Sequence, residues 1–180
     1  PVVHLASQAG AAPVFSEAIQ AFLPGEAREK WIAAGAIRGT FDARDAAAEG
    51  ERAGAESARA IGFKVAANGG GARKEPRNGD KSSANQLPLF EIPGKGKAFV
   101  DFQNDVTASD VRLAHREGFE SVEHLKRYTT LGMATDQGKL SNLNGLSIMA
   151  SARGLPIPAV GTTRFRPPYN PVSIGALAGR

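Results

Sequence analysis

Residues 65–97 are dominated by Gly, Lys, Pro, Asn and Ser, with Gly69-Gly70-Gly71 near one end and Gly94-Lys95-Gly96-Lys97 at the other. A run of that composition has too little apolar surface to offset the entropy of ordering its backbone, so it reads as a mobile linker. It divides the chain into two flanks, 1–64 and 98–180, and each has to build a small core of its own. Leu87 to Ile92 carries enough apolar side chains to be pinned to a neighbouring surface. The overall content allows two small cores, since 42% of the 180 residues are apolar, and 21 glycines with 11 prolines point to long connections between elements. There is no internal repeat.

Several function classes drop out at once. The chain has no cysteine. Disulfides, a thiolate nucleophile and a cysteine-held zinc or iron–sulfur centre are therefore excluded within these residues. The absence of cysteine fits a reducing cytoplasm, no apolar run approaches the ~20 residues of a membrane span, and no signal peptide opens the chain. The formal charge of +4, from 22 basic and 18 acidic side chains, is the mild excess of an ordinary surface. Pro1 at one end and Arg180 after Gly175-Ala-Leu-Ala-Gly179 at the other read as cuts from a longer chain.

In the first flank, Trp31-Ile32-Ala33-Ala34-Gly35-Ala36 reads as a buried strand running into a glycine turn. The spacing then predicts a helix from about Asp42 to Gly62. Ala46, Gly50, Ala53, Ser57 and Ile61 recur on one face, and Asp45, Glu49, Arg52, Glu56 and Arg59 on the opposite one. So small a buried face, with Gly50 and Gly54, suits close approach to a sheet or another backbone. A strand, a glycine turn and a helix N-terminus can present N–H groups to a phosphate, or can be a plain helix packed on a sheet.

In the second flank, Ala98 to Phe102 reads as a short strand. Thr107-Ala-Ser-Asp110 has the form of a capping box with Asp in place of Glu, and Ala108, Val111 and Ala114 would line the inner face of a helix ending near Gly118. Ser121 can cap a second helix, with Val122 and Leu125 inward, that runs out at Tyr128-Thr129-Thr130. A glycine-bearing loop, Gly132 to Lys139, follows. A last helix is expected over about Asn142 to Arg153, with Gly154 at its end and Pro156 beyond.

The densest polar cluster is Glu123 to Thr130 followed by Thr135 to Lys139. Lys126 and Arg127 at a helix end, beside Thr129, Thr130 and a glycine loop, can hold a phosphate, and Gln137 and Lys139 can hydrogen-bond a ring that carries carbonyls. The same residues can equally form a solvated helix end and a polar loop. His4, His115 and His124 are scattered without metal spacing, so no metal site is assigned. Two short capped helices around Gly118 also have the outline of a helix-turn-helix. Glu117, Glu120 and Glu123 would face the DNA with the wrong charge, and no nucleic-acid partner is expected.

Longer motifs carry a resemblance. Lys97 to Thr107, Arg112 to Phe119, Ser121 to Thr130, Gly132 to Lys139, Gly161 to Pro171 and Gly175 to Gly179 together resemble the alpha subunit of heterotetrameric bacterial sarcosine oxidases. Pro1 to Leu5 and Ala34-Gly-Ala36 with the small-faced helix are similar to the end of that subunit's nucleotide-binding domain. The resemblance implies an α+β chain in four parts. Residues 1–64 would be the C-terminal part of an NAD-binding domain and 65–97 a linker. Residues 98–155 would be a small helical domain similar to bacterioferritin-associated ferredoxin without its cluster, and 156–180 the start of an aminomethyltransferase-like folate domain.

It further implies an enzyme that oxidises sarcosine to glycine with formation of peroxide and methylene-tetrahydrofolate. FAD would sit on the beta subunit, FMN would be shared with it, NAD would be bound by the alpha subunit, and tetrahydrofolate would be held further along that same chain. The implied partners are the beta, gamma and delta subunits. Carried over by motif, Lys126, Arg127, Thr129, Thr130, Gln137 and Lys139 are the expected FMN surface. Ala36, Phe41 and Ala43 are the expected contacts at the adenine-nucleotide end of the NAD site. The alpha subunit of a related amine, proline or opine dehydrogenase is the alternative within enzymes, and the absence of cluster cysteines speaks against it.

Overall fold

The computed structural model describes residues 2–65, 89–163 and 172–178. The chain separates into two units, Pro1–Leu87 and Pro88–Arg180, and each contains one two-stranded antiparallel hairpin among helices. The mixed helix-and-strand expectation therefore holds. Most of the expected linker, 66–88, lies outside the described residues, while 89–97 belongs to the second unit.

The first unit opens with a short helix, α1 (His4–Gln8), that buries His4 and Ala6. Val3, Ala11 and Ala21 complete this small core. Strands β1 (Pro13–Ser16) and β2 (Ala21–Pro24) follow, with Phe15 opposite Phe22 and their rings edge-on at 5.2 Å. Such a cross-strand aromatic pair stabilises a hairpin beyond its area alone. Gly35–Arg38 forms a 3-10 turn, closed by Gly39 at φ 87°, and the helix α2 (Ala43–Ala60) runs on from it, with the Asp42 side chain accepting from the N–H groups of Arg44 and Asp45.

Two expectations for this unit are corrected. Residues 31–34 are irregular rather than strand. An apolar run becomes a strand only if another strand takes its N–H and C=O groups, and β1 and β2 pair with each other. The face of α2 is also not the one periodicity suggested. Gly50 and Gly54 are exposed, and a Cβ at either would meet nothing within 4 Å. Ile61 is 75% exposed. Glu49, placed by spacing on the outer polar face, turns instead toward the 3-10 turn, where two donors await it.

The second unit follows its sequence closely. Strands β3 (Phe99–Asp101) and β4 (Val106–Thr107) pair with a register irregularity, and Thr107 begins α3 (Ala108–Arg116) with a complete capping box. The Asp110 N–H donates to Thr107 Oγ1 at 3.3 Å, and the Thr107 N–H donates to Asp110 Oδ2 at 2.8 Å. Ala108, Val111 and Ala114 are buried. Gly118, at φ 90°, turns the chain toward α4 (Val122–Thr129), whose Val122 and Leu125 point inward. Ser121 stands at its start, but its hydroxyl makes no capping bond. Helix α5 (Asn142–Arg153) packs on α3 and buries Leu146, Ile148, Met149 and Ala150. Gly154, at φ 64°, ends it. Two short helices, α6 (Ile157–Val160) and α7 (Ile174–Ala178), follow.

Leu87 and Pro88 lie outside the described residues, while Leu89 and Ile92 are exposed. Glu91 of that stretch makes a bidentate pair with Arg112, and Phe90 beside it in the chain is half-buried.

Candidate functional site

The loop between α4 and α5, residues 130–141, gathers the polar cluster singled out above. Its conformation demands unusual backbone angles. Thr130, Gly132, Gln137 and Gly138 all have positive φ, at 62°, 66°, 53° and 75°. Thr130 in the left-handed region stops α4, as glycine or asparagine does at most helix ends. Thr129 Oγ1 donates to Leu125 O at 2.8 Å and accepts from the Leu131 N–H at 3.2 Å. That hydroxyl therefore finishes the helix. Asp136 organises the second half of the loop by accepting from the Gly138 N–H at 3.1 Å and the Leu140 N–H at 3.4 Å.

Two buried side chains hold this loop. Asp101, 3% exposed, takes the Gln103 and Asn104 N–H groups on Oδ1 at 2.9 and 3.3 Å and the Gly132 N–H on Oδ2 at 2.8 Å. Two further bonds run alongside. Asn104 Nδ2 donates to Thr130 O and Thr135 Oγ1 donates to Gln103 Oε1, each at 2.9 Å. From the other side the buried Asn142 carboxamide fills the space left by Gly132 and Gly138, so that a Cβ on either would overlap it. Asn142 Nδ2 donates to buried Thr163 Oγ1 at 3.0 Å.

The expected contact residues sit on the outside of this frame. Lys126 is half-buried at the end of α4. Arg127 lies along its own helix, 3.0 Å from Glu123 Oε2 and also bonded to the Glu123 carbonyl. Met133 and Leu140 of the following loop are exposed, at 55% and 82%. The structure thus brings Lys126, Arg127, Thr129, Thr130, Gln137 and Lys139 onto one helix end and its loop, but assigns Thr129 to the backbone and pairs Arg127 with Glu123.

In the first unit, Ala36, Phe41 and Ala43 are exposed around the 3-10 turn and the start of α2. The Gly35 N–H donates to Glu49 Oε2 and the Thr40 hydroxyl to Glu49 Oε1, both at 2.8 Å. Burial works against the charged carboxylate, yet the Gly35 N–H, the Thr40 hydroxyl and the guanidinium groups of Arg38 and Arg52 outweigh it and hold Glu49 below the usual carboxylate range. Of the N–H groups at this turn and at the start of α2, those of Gly35, Arg44 and Asp45 are thus taken by Glu49 and Asp42. Nearby, a cleft of about 450 Å³ is lined by Leu23, Trp31, Ile32, Ile37, Arg38 and Glu56 among others. None of Ala36, Phe41 and Ala43 lines it. Among the described residues no three His, Asp or Glu side chains gather as a metal site, and no helix is long and apolar enough to cross a membrane.

The sarcosine oxidase A3 domain family matches residues 95–180, which include the whole of this loop and its two anchors. Over 99% of its length the chain is 49% identical to the sarcosine oxidase alpha subunit of Rhizobium meliloti (strain 1021), and over all of it 40% identical to the sarcosine oxidase alpha subunit of Corynebacterium sp. (strain P-1). The chain belongs to the sarcosine oxidase alpha-subunit family. It spans 18% and 19% of the lengths of those two relatives. An opine oxidase subunit of Rhizobium meliloti (strain 1021) is 30% identical over 74 residues, 41% of the chain and 16% of that protein. In fold the chain resembles the crystal structure of L-proline dehydrogenase from P. horikoshii, with a TM-score of 0.73 at 20% identity over 99% of this chain and 37% of the other.

Within this family's A3 segment, sequence reasoning missed Asp101 and Asn142. Half of the Asp101 role was legible, because an Asp whose side chain meets the N–H groups two and three residues on is a common turn. Its bond to Gly132, across 31 residues, has no local signal.

Proposed function

We propose that this chain contributes cofactor-contacting and subunit-contacting surfaces to the alpha subunit of a flavin-dependent sarcosine oxidase. The reaction would be the oxidative demethylation of sarcosine to glycine, with formation of peroxide and methylene-tetrahydrofolate. The observation that carries this reading is the 49% identity, along essentially the whole chain, to the alpha subunit of a sarcosine oxidase. The alternative, the alpha subunit of a related amine, proline or opine dehydrogenase, draws on weaker likenesses, to an opine oxidase subunit over 41% of the chain and to a proline dehydrogenase at 20% identity.

In this reading residues 1–64 end an NAD-binding domain, 65–97 are a linker, 98–155 form a small helical domain similar to bacterioferritin-associated ferredoxin without its cluster, and 156–180 begin the folate-binding part. FAD belongs to the beta subunit, FMN lies between the 126–139 surface and the beta subunit, and tetrahydrofolate binds further along the alpha subunit. The beta, gamma and delta subunits are the partners, and the cytoplasm is the compartment.

The residues present fit FMN unequally. Lys126 makes no hydrogen bond or ion pair to another described side chain, and so is the cation best placed to meet a phosphate. Arg127 would have to leave Glu123 or act together with it. Met133 and Leu140 are the exposed apolar side chains of the 130–141 loop that a flat ring could meet, and Gln137, Lys139 and Thr130 are its polar ones. When bound, the flavin supplies the redox chemistry. The chain's own part is to present donors and apolar surface in a set conformation. At the NAD end, Ala36, Phe41 and Ala43 would make apolar and backbone contact with the adenine-nucleotide end. The N–H groups of Gly35, Arg44 and Asp45 would not serve the phosphates, since Glu49 and Asp42 already take them.

The test replaces Lys126 and Arg127 by methionine in the full-length subunit of the assembled complex. FMN retention or reoxidation should weaken while reduction of FAD by sarcosine stays near normal. A complex in which both flavins bind, reduce and reoxidise as in the parent would show the cluster to be a solvated helix end.

A further inference from the structure

We infer that Asp101 is the positioning residue of the 130–139 loop, and that it sets the conformation of the flavin-facing surface without touching the flavin. The inference rests on the flavin reading of that loop. Asp101 is buried at the end of β3, and its two oxygens face different segments. One holds the turn of its own hairpin, and the other takes the Gly132 N–H. The bonds from Asn104 to Thr130 and from Thr135 to Gln103 lie on the two sides of the Asp101–Gly132 bond. The hairpin therefore grips the loop at residues 130, 132 and 135, the half that carries two of the four positive φ angles.

Thr130 is a β-branched residue in the left-handed region, a conformation that persists only where surrounding bonds over-determine it. A grip of this kind is more than local stabilisation, because of what it displays. The residues next along the chain on either side of the latch bond, Phe102 and Met133, are 80% and 55% exposed. Asp101 and Gly132 are thus each followed in the chain by an apolar side chain that solvent reaches, with Phe102 stacked on Phe99 at 5.8 Å, and it is the conformation of these exposed stretches that the latch sets. The side chain has to be a carboxyl group for a geometric reason. Both oxygens accept N–H groups from opposite directions, and an amide can supply only one acceptor atom. In Asp101→Asn, whichever way the amide turns, its NH₂ faces an N–H on one side, either the Gly132 amide or the hairpin turn.

The test uses the assembled complex containing full-length subunit with Asp101→Asn, beside the Lys126→Met/Arg127→Met pair. Amide exchange followed by mass spectrometry should show peptides over 131–140 exchanging at least tenfold faster in Asp101→Asn, with α5 peptides over 143–153 unchanged. The flavin absorption envelope and flavin fluorescence should shift in the same direction as in the Lys–Arg pair. Unchanged exchange over 131–140 overturns the inference. So does faster exchange with a parental flavin spectrum, if the Lys–Arg pair does shift that spectrum. If neither variant moves the flavin signals, the flavin reading itself fails, and with it the role assigned to Asp101. Should Asp101→Asn not assemble, Asn104→Ala removes only the exposed Asn104–Thr130 bond. It should raise loop exchange about threefold with a smaller spectral shift, and no change in either would overturn the inference.

Discussion

Gly138→Ala is the change that most directly measures how tightly the loop is built around Asn142. The structure gives two separate costs. At φ 75° a Cβ meets the left-handed penalty of about 1–2 kcal/mol that any L-residue other than glycine carries there. The same Cβ also overlaps the Asn142 carboxamide. This side chain is buried and bonded to Thr163, so it cannot swing away freely. Forcing extra volume into such a place typically adds about 1–3 kcal/mol. The expected total is roughly 2–5 kcal/mol, a large fraction of the about 5–15 kcal/mol that keeps a small domain folded. Gly118→Ala is the internal control. Its φ of 90° carries the backbone penalty, but a Cβ there meets nothing within 4 Å, so it should cost only about 1–2 kcal/mol.

Urea unfolding, followed by a probe in the second unit, compares the two variants at constant slope. Asn142→Ala in the Gly138→Ala background removes the overlap, so the double variant should lose much less than the sum of the two single losses. If Gly138→Ala costs no more than Gly118→Ala, or if the two changes at 138 and 142 simply add, the carboxamide does not fill the loop as described.

Leu125→Ala, which empties a fully buried position between α3 and α4, should lower the stability of the second unit by about 2–5 kcal/mol in the same assay. Thr107→Ala removes one arm of the capping box and should cost about 1 kcal/mol, while Glu91→Ala, which breaks an exposed pair, should cost less than ~1 kcal/mol. Glu49 has a depressed folded-state value, so its contribution is present above the unfolded carboxylate range and lost as pH falls through the folded value. Glu49→Gln should therefore weaken the first unit by about 1 kcal/mol at neutral pH, and the difference from the parent should shrink as the pH is lowered through the acid range. The purified chain without partner subunits should give no sarcosine-dependent peroxide; a signal that survives exhaustive removal of contaminating oxidase would contradict the division of labour proposed here.

Local patterns decided much of the second unit. Thr107 and Asp110 are three residues apart, Ala108, Val111 and Ala114 repeat at helical spacing, and Gly118, Gly154 and Pro156 stand where helices must stop. Such signals act over one or two turns, and the energy they control is local, so they are readable without knowing what lies across the core. The same holds for Asp42 at the start of α2. Other features depended on partners far along the chain. Trp31 to Ala36 is as apolar as a buried strand, yet β1 and β2 pair with each other, and the run is irregular over 31–34 and enters a 3-10 turn at Gly35. Glu49 has the spacing of an outward charge, but the Gly35 N–H and the Thr40 hydroxyl draw it inward. Lys126 and Arg127 read as equivalent cations, and only the structure ties Arg127 to Glu123. Asp101 is one acidic residue among 18 until folding brings Gly132 against it from 31 residues away. The sequence by itself determined where α2, α3, α4 and α5 begin and end, but not the short helices α1, α6 and α7 or the 3-10 turn. The tertiary structure decided which buried polar groups meet, because each such group must find its partner in three dimensions and no periodicity records that partner.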